Sequence, residues 1–207
     1  MRFLLLISTA VILASCGSAY KQLTKGTGDL SCVDKFRPRI STALYNTNVN
    51  VVGNHLSGLL IIKQMPDSSL RLVFSSETGF KFFDFEFSQK NFKVHYIMNK
   101  MDKKSVIKTL RKDFELVLMN NLNIAEGYVL KNDSNYYYTF PRGKDHYYYV
   151  TDPGCDELIR MERGNKRKKV VEAFASDYKE TIPDSISIRH TGFEFEISLK
   201  RIMNYAQ

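Results

Sequence analysis

The chain has 207 residues, enough for one domain with a sizeable core once an N-terminal signal is removed. Its net charge of +8 suits an anionic surface, membrane or nucleic acid alike. The aromatic set of 14 Phe and 12 Tyr favours strands, and neither the three Cys nor the four scattered His have zinc-ligand spacing, so no metal or cofactor is expected.

The N-terminus comes first in the chain. Arg2 is a short basic region, Phe3 to Leu13 is apolar apart from Ser8 and Thr9, and small residues lead to Cys16 and Gly17. This is the layout of a secretory signal peptide, too short to remain as a membrane-spanning helix. Leu13-Ala14-Ser15-Cys16 resembles the lipobox of bacterial lipoproteins. The resemblance implies cleavage before Cys16, diacylglycerol on its thiol, an acyl chain such as palmitate on the new amine, and membrane lipid as the partner of that residue. Gly17 and Ser18 follow, where an Asp implies inner-membrane retention in this class, so the expected place is the outer membrane, periplasm-facing. Export argues against nucleic acid as a partner.

Residues 1–15 are thus read as signal peptide, 16–43 as lipidated N-terminus and tether, and 44–207 as the domain. Gly17 to Gly28 is polar and linker-like. Ser31 to Ala43 holds a short helix interrupted at Pro38. Cys32 and Cys155 are candidate disulfide partners in an oxidising compartment; the alternative is two separate thiols.

From Leu44 the pattern is β. Leu44–Val52 alternates, Gly53-Asn54 turns, and Leu56–Gln64, Leu70–Ser75, Phe80–Phe87 and Phe92–Met98 follow. Phe83, Phe85 and Phe87 alternate with Asp84 and Glu86, so one face is apolar. The period then changes: Asp102 is placed to cap a helix to about Met119, with Val106, Ile107, Leu110, Phe114, Val117 and Leu118 on one face. A second β series occupies Gly127–Lys131, Asn135–Phe140, His146–Thr151, Glu157–Glu162, Lys169–Ala175, Ser185–Arg189 and Phe193–Arg201. The expected fold is α+β: a curved antiparallel sheet of about ten strands covered by one main helix.

Order and spacing resemble the LolA/LolB lipoprotein-carrier fold, with Tyr45 to Met119 similar to its first half. Pro183 to Ile188, then Phe193 to Leu199, are similar to its closing strands. The resemblance implies an incomplete β-barrel, a half-barrel around an apolar cavity that accepts lipid or lipoprotein acyl chains. Thr78, in the loop Ser76-Glu77-Thr78-Gly79, stands where that family's receptor carries an exposed leucine. The expected cavity lining is Phe83, Phe85, Phe87, Leu110, Phe114, Phe193, Phe195 and Ile197; a filled core is the alternative.

Two other features compete for a role. Tyr136 to Tyr138 and Tyr147 to Tyr149 face each other across a hairpin, with Tyr137 and Tyr148 turned to the opposite face, either for a partner or as cross-strand pairs. Arg163, Lys166, Arg167, Lys168 and Lys169 form a basic loop, suited to lipid headgroups or to solvent. Neither GxSxG nor a P-loop run is present, so no enzyme and no catalytic residue is expected. Two functions remain: an anchored lipid binder, or an adaptor lipoprotein with a filled core that binds a protein partner.

Overall fold

The computed structural model describes residues 20–89, 91–120, 122–179 and 181–203. The signal peptide and Cys16 lie outside the described residues. The strands are β1 (Thr24–Lys25), β2 (Thr42–Val51), β3 (Asn54–Gln64), β4 (Leu70–Ser75), β5 (Lys81–Phe87), β6 (Phe92–Ile97), β7 (Tyr128–Lys131), β8 (Tyr136–Arg142), β9 (Asp145–Thr151), β10 (Leu158–Gly164), β11 (Lys169–Lys179), β12 (Ile182–His190) and β13 (Phe195–Arg201). The α-helix α1 (Lys104–Val117) falls between β6 and β7.

All thirteen strands join one sheet, in the order β1-β7-β8-β9-β10-β11-β12-β13-β2-β3-β4-β5-β6. Every pairing is antiparallel. The closing strand β13 sits beside β2, with Phe195 opposite Val51 and Ile197 opposite Val49, and so joins the two β series. β1 and β6 are left as edges, and the sheet does not close. Register shifts in the β4–β5, β5–β6, β9–β10 and β10–β11 pairs are irregularities of the kind that bend and twist a sheet. At Gly58 in β3 a Cβ would meet the carbonyl oxygen of Ser75 at 2.0 Å, so only glycine lets the two backbones approach there.

The main core lies on the concave face. Tyr45, Leu60, Ile62, Leu72, Phe74 and Phe85 join Phe114 and Leu116 of α1 in one cluster. A smaller cluster lies on the other face, where Tyr137, Tyr148 and Val150 are covered by Tyr20, with Leu23 packed at its margin. Tyr20 stacks on Tyr148 with ring centroids 4.2 Å apart, and its hydroxyl donates to Glu162 Oε2 at 2.9 Å.

That second cluster corrects the reading of 16–43 as a tether. The described part, from Tyr20 on, belongs to the domain: β1 pairs with β7, and Val33 is buried in the main core. Sparse apolar residues in a polar stretch are enough to dock it. The short helix expected there is a 3-10 helix, Leu30–Phe36, that ends before Pro38 and is capped by Asp29, whose carboxylate accepts from the Ser31 N–H. Cys32 in this helix is bonded to Cys155, with Cα atoms 6.5 Å apart. Asp152 shapes the opposite turn by accepting the backbone N–H groups of Gly154, Asp156 and Glu157. Those bonds hold its carboxyl below the usual carboxylate range.

Two further expectations are corrected. Asp102 does not cap α1: Lys103 is the N-cap, without a side-chain cap bond, and the helix ends at Val117. Arg163 is not in a solvated loop but in β10, buried.

Candidate functional site

α1 divides into two unlike halves. From Leu110 onward it is pressed into the sheet; before Leu110 its residues are exposed or half-buried. The buried half is fastened by charge. Asp113, with no exposed surface, accepts from Arg163 Nη2 at 2.9 Å and lies 2.8 Å from His190 Nε2. Glu115 accepts from Arg111 Nε at 2.8 Å and from Arg142 Nη2 at 3.0 Å. The Tyr147 hydroxyl bonds Glu115 Oε2 at 3.3 Å, Tyr149 donates to the Leu116 carbonyl at 3.1 Å, and Lys112 pairs with Asp145. Burial, above all, pushes the Tyr147 and Tyr149 phenols far above their ordinary pKa, so they act here as neutral donors.

The stretch of α1 from Val106 to Phe114 lies over a hollow of about 580 Å³. A 14-residue helix is about 21 Å long, whereas thirteen strands spaced at about 4.8 Å make a far wider sheet. One helix therefore covers only part of the concave face. Val49 and Val51 of β2, Leu56 and Leu60 of β3, Phe74 of β4, and Phe83 of β5 form the floor and walls. Phe195 and Ile197 of β13 complete them, while Val106, Leu110 and Phe114 of α1 form the roof. The size falls in the range of small-molecule sites, roughly 300–1,000 Å³.

Of the residues expected to line a cavity, Phe83, Leu110, Phe114, Phe195 and Ile197 do so. Phe85, Phe87 and Phe193 do not line this hollow, and the expectation is corrected for them; Phe87 borders a separate cleft with Arg37 and Leu70. Phe85 stacks on Phe83 at 4.5 Å and meets Phe92 at 5.2 Å; Phe87 meets Phe92 at 5.0 Å. Phe92 on the edge strand fills the space beside them. Phe193 falls before β13, in the turn, and is 49% exposed beside His190 and Phe195. Val49 and Val51 were not anticipated as lining, although their alternation with Asn48 and Asn50 marks an apolar face. Beyond the i,i+4 spacing of Arg111 and Glu115, the acidic pair Asp113 and Glu115 carried no sequence signal, because their other partners come from β8, β9, β10 and β12.

The mouth of the hollow has its own chemistry. Asn99, Lys100, Met101 and Lys103 stand on one side, Val52 and Asn54 on the other. Val52 is 65% exposed with φ of +42°, a strained setting for a β-branched residue at the tip of the β2–β3 hairpin. The tyrosine surface is not open in the same way, since Tyr20 lies over Tyr148. Within the basic loop, the Asn165 side chain accepts the N–H groups of Arg167 and Lys168 and shapes the hairpin. Among the described residues no group of His, Cys, Asp and Glu is arranged to hold a metal ion.

No protein-family model matches the chain, and no curated protein is similar to it in sequence. Solved structures are similar in shape. A LolA superfamily protein from Nitrosomonas europaea superposes with a TM-score of 0.52 at 6% identity, over 84% of this chain and 89% of that one. A DUF1329 family protein from Desulfovibrio piger gives 0.45 at 11% identity, over 84% and 88% of the two chains. A putative outer membrane lipoprotein-sorting protein domain from Vibrio parahaemolyticus gives 0.44 at 9%, over 86% and 93%. The first of these establishes a shared fold: the chain is a LolA-like open half-barrel.

Proposed function

We propose that this chain is a lipid-anchored protein of the outer membrane, facing the periplasm, that holds an acyl chain of a lipid or lipoprotein under α1 and catalyses no reaction. The observation that carries this reading is the apolar hollow of about 580 Å³ between α1 and five strands. Each methylene moved from water into such a site contributes about 0.8 kcal/mol. Uptake and release then need only an exchange of apolar contact, without a cofactor. In this reading Cys16 carries the anchor. Tyr20, four residues on, already packs on the sheet, so at most about 14 Å of extended chain separates the lipid from the domain. The adaptor reading has less support, because its tyrosine face is covered by the chain's own Tyr20 and Leu23.

The test is direct. The mature chain with Cys16→Ser, exported behind a conventional signal peptide, is purified without detergent. It should carry lipid detectable by mass spectrometry and take up about one equivalent of the neutral dye Nile red. A protein that yields no lipid and leaves the dye unbound ends the carrier reading.

A further inference from the structure

The mouth of the hollow carries a charge pattern that its apolar interior does not require. Among the described residues, those lining the cavity include two cations, Lys100 and Lys103, and no carboxylate. Both lysines are exposed, and neither has an ion-pair partner among the described residues. Neither nearby acid forms an ion pair with them. Asp102, exposed between the two, does not line the hollow. Glu194, across the mouth, receives the Gly53 N–H. The α1 first turn holds no acidic residue, which leaves the helix dipole with the same sign. Below the mouth the lining turns apolar, down to Leu60, Phe74, Phe83 and Phe114.

A mainly apolar chamber beneath a mouth lined by two lysines without ion-pair partners matches an amphiphile with one hydrocarbon tail region and a negative head. We propose that the hollow selects anionic amphiphiles, the head being a phosphate or a carboxylate held by Lys100 and Lys103. This rests on the acyl-binding reading and names the class of guest within it. Positive charge close to a phosphate or carboxylate adds affinity that a neutral head of equal tail length does not gain.

The experiment is a displacement series on the Cys16→Ser mature chain, with Nile red as reporter and three competitors that share a palmitoyl tail. These are lysophosphatidate, palmitate and the neutral monopalmitin. Both anionic competitors should displace the dye at concentrations about tenfold lower than monopalmitin at low ionic strength, and salt should narrow the gap. Preference for only one of the two anions, with the other equal to monopalmitin, assigns the head to that chemistry alone. In the double variant Lys100→Gln/Lys103→Gln the ratio of anionic to monopalmitin displacement should fall most of the way to one. Lys200→Gln, exposed on β13 and away from the mouth, should keep the preference. Equal displacement by all three overturns the anionic selection and leaves the acyl reading standing. A preference that survives in the double variant overturns the assignment to these lysines. Failure of every competitor and of the dye removes the acyl reading itself.

Discussion

Single residues in this protein work mainly by making buried charge tolerable. Asp113 is fully buried, and Arg163 and His190 reach it from two different strands. Removing one partner of a buried pair leaves the other uncompensated, at a cost of about 3–5 kcal/mol. Asp113→Ala should lower the unfolding free energy by that amount, read from a urea titration. Asp84 makes the same point through pH. Burial pushes its carboxyl up, but bidentate bonds from Arg71 at 2.8 and 3.0 Å and one from Lys81 at 3.0 Å outweigh it and hold the carboxyl below the usual carboxylate range. A group depressed in the folded state stabilises above its unfolded pKa, about 3.9, and loses that contribution as pH falls through the folded value. Stability measured by denaturant should therefore drop as pH is lowered below about 4, and Asp84→Asn should flatten that part of the profile.

Among the elements, α1 matters most, because it is fixed at one end and spans a void at the other. Its C-terminal half is held through Asp113, Glu115 and the Leu116 carbonyl; Val106 in its N-terminal half meets the hollow, beside Leu110 and Phe114. A bulky side chain at Val106 fills guest space without touching the ionic network. Val106→Trp should weaken Nile red uptake by about tenfold or more, the equivalent of losing roughly 2 kcal/mol of apolar contact, while the thermal midpoint stays close to that of the parent. A comparable loss of uptake together with a collapse of the midpoint would mean that the roof, and not the void, had been damaged. The amphipathic face of α1 was legible from its spacing. Which half of that face meets side chains and which meets empty space was not, since helical periodicity reports only that a face is apolar.

The whole molecule is a single open sheet whose N-terminal segment is tied back by a covalent bond. Cys32 and Cys155 are separated by 123 residues, and the bond joins the 3-10 helix to the β9–β10 turn. In the chain-entropy account, opening so long a loop costs about 4–5 kcal/mol. Cys32→Ser/Cys155→Ser should lower the calorimetric midpoint accordingly and make residues 20–36 the first segment to exchange amide hydrogens. The molecule also shows why the cavity expectation was mixed. Alternation in β5 put Phe83, Phe85 and Phe87 on one face, yet the edge strand β6 lays Phe92 against two of them and leaves only Phe83 at the hollow.

The sequence by itself determined the strands β2 to β13, the amphipathic helix α1 and the apolar faces, because side-chain period is local and survives in the order of residues. Tertiary structure decided the rest: the docking of Tyr20 on Tyr148, the meeting of Asp113 with Arg163 and His190, and the size of the hollow. Those depend on how far the sheet bends and on which distant strands it brings under α1. A void is what remains after all side chains have been placed, so no single stretch of residues encodes it.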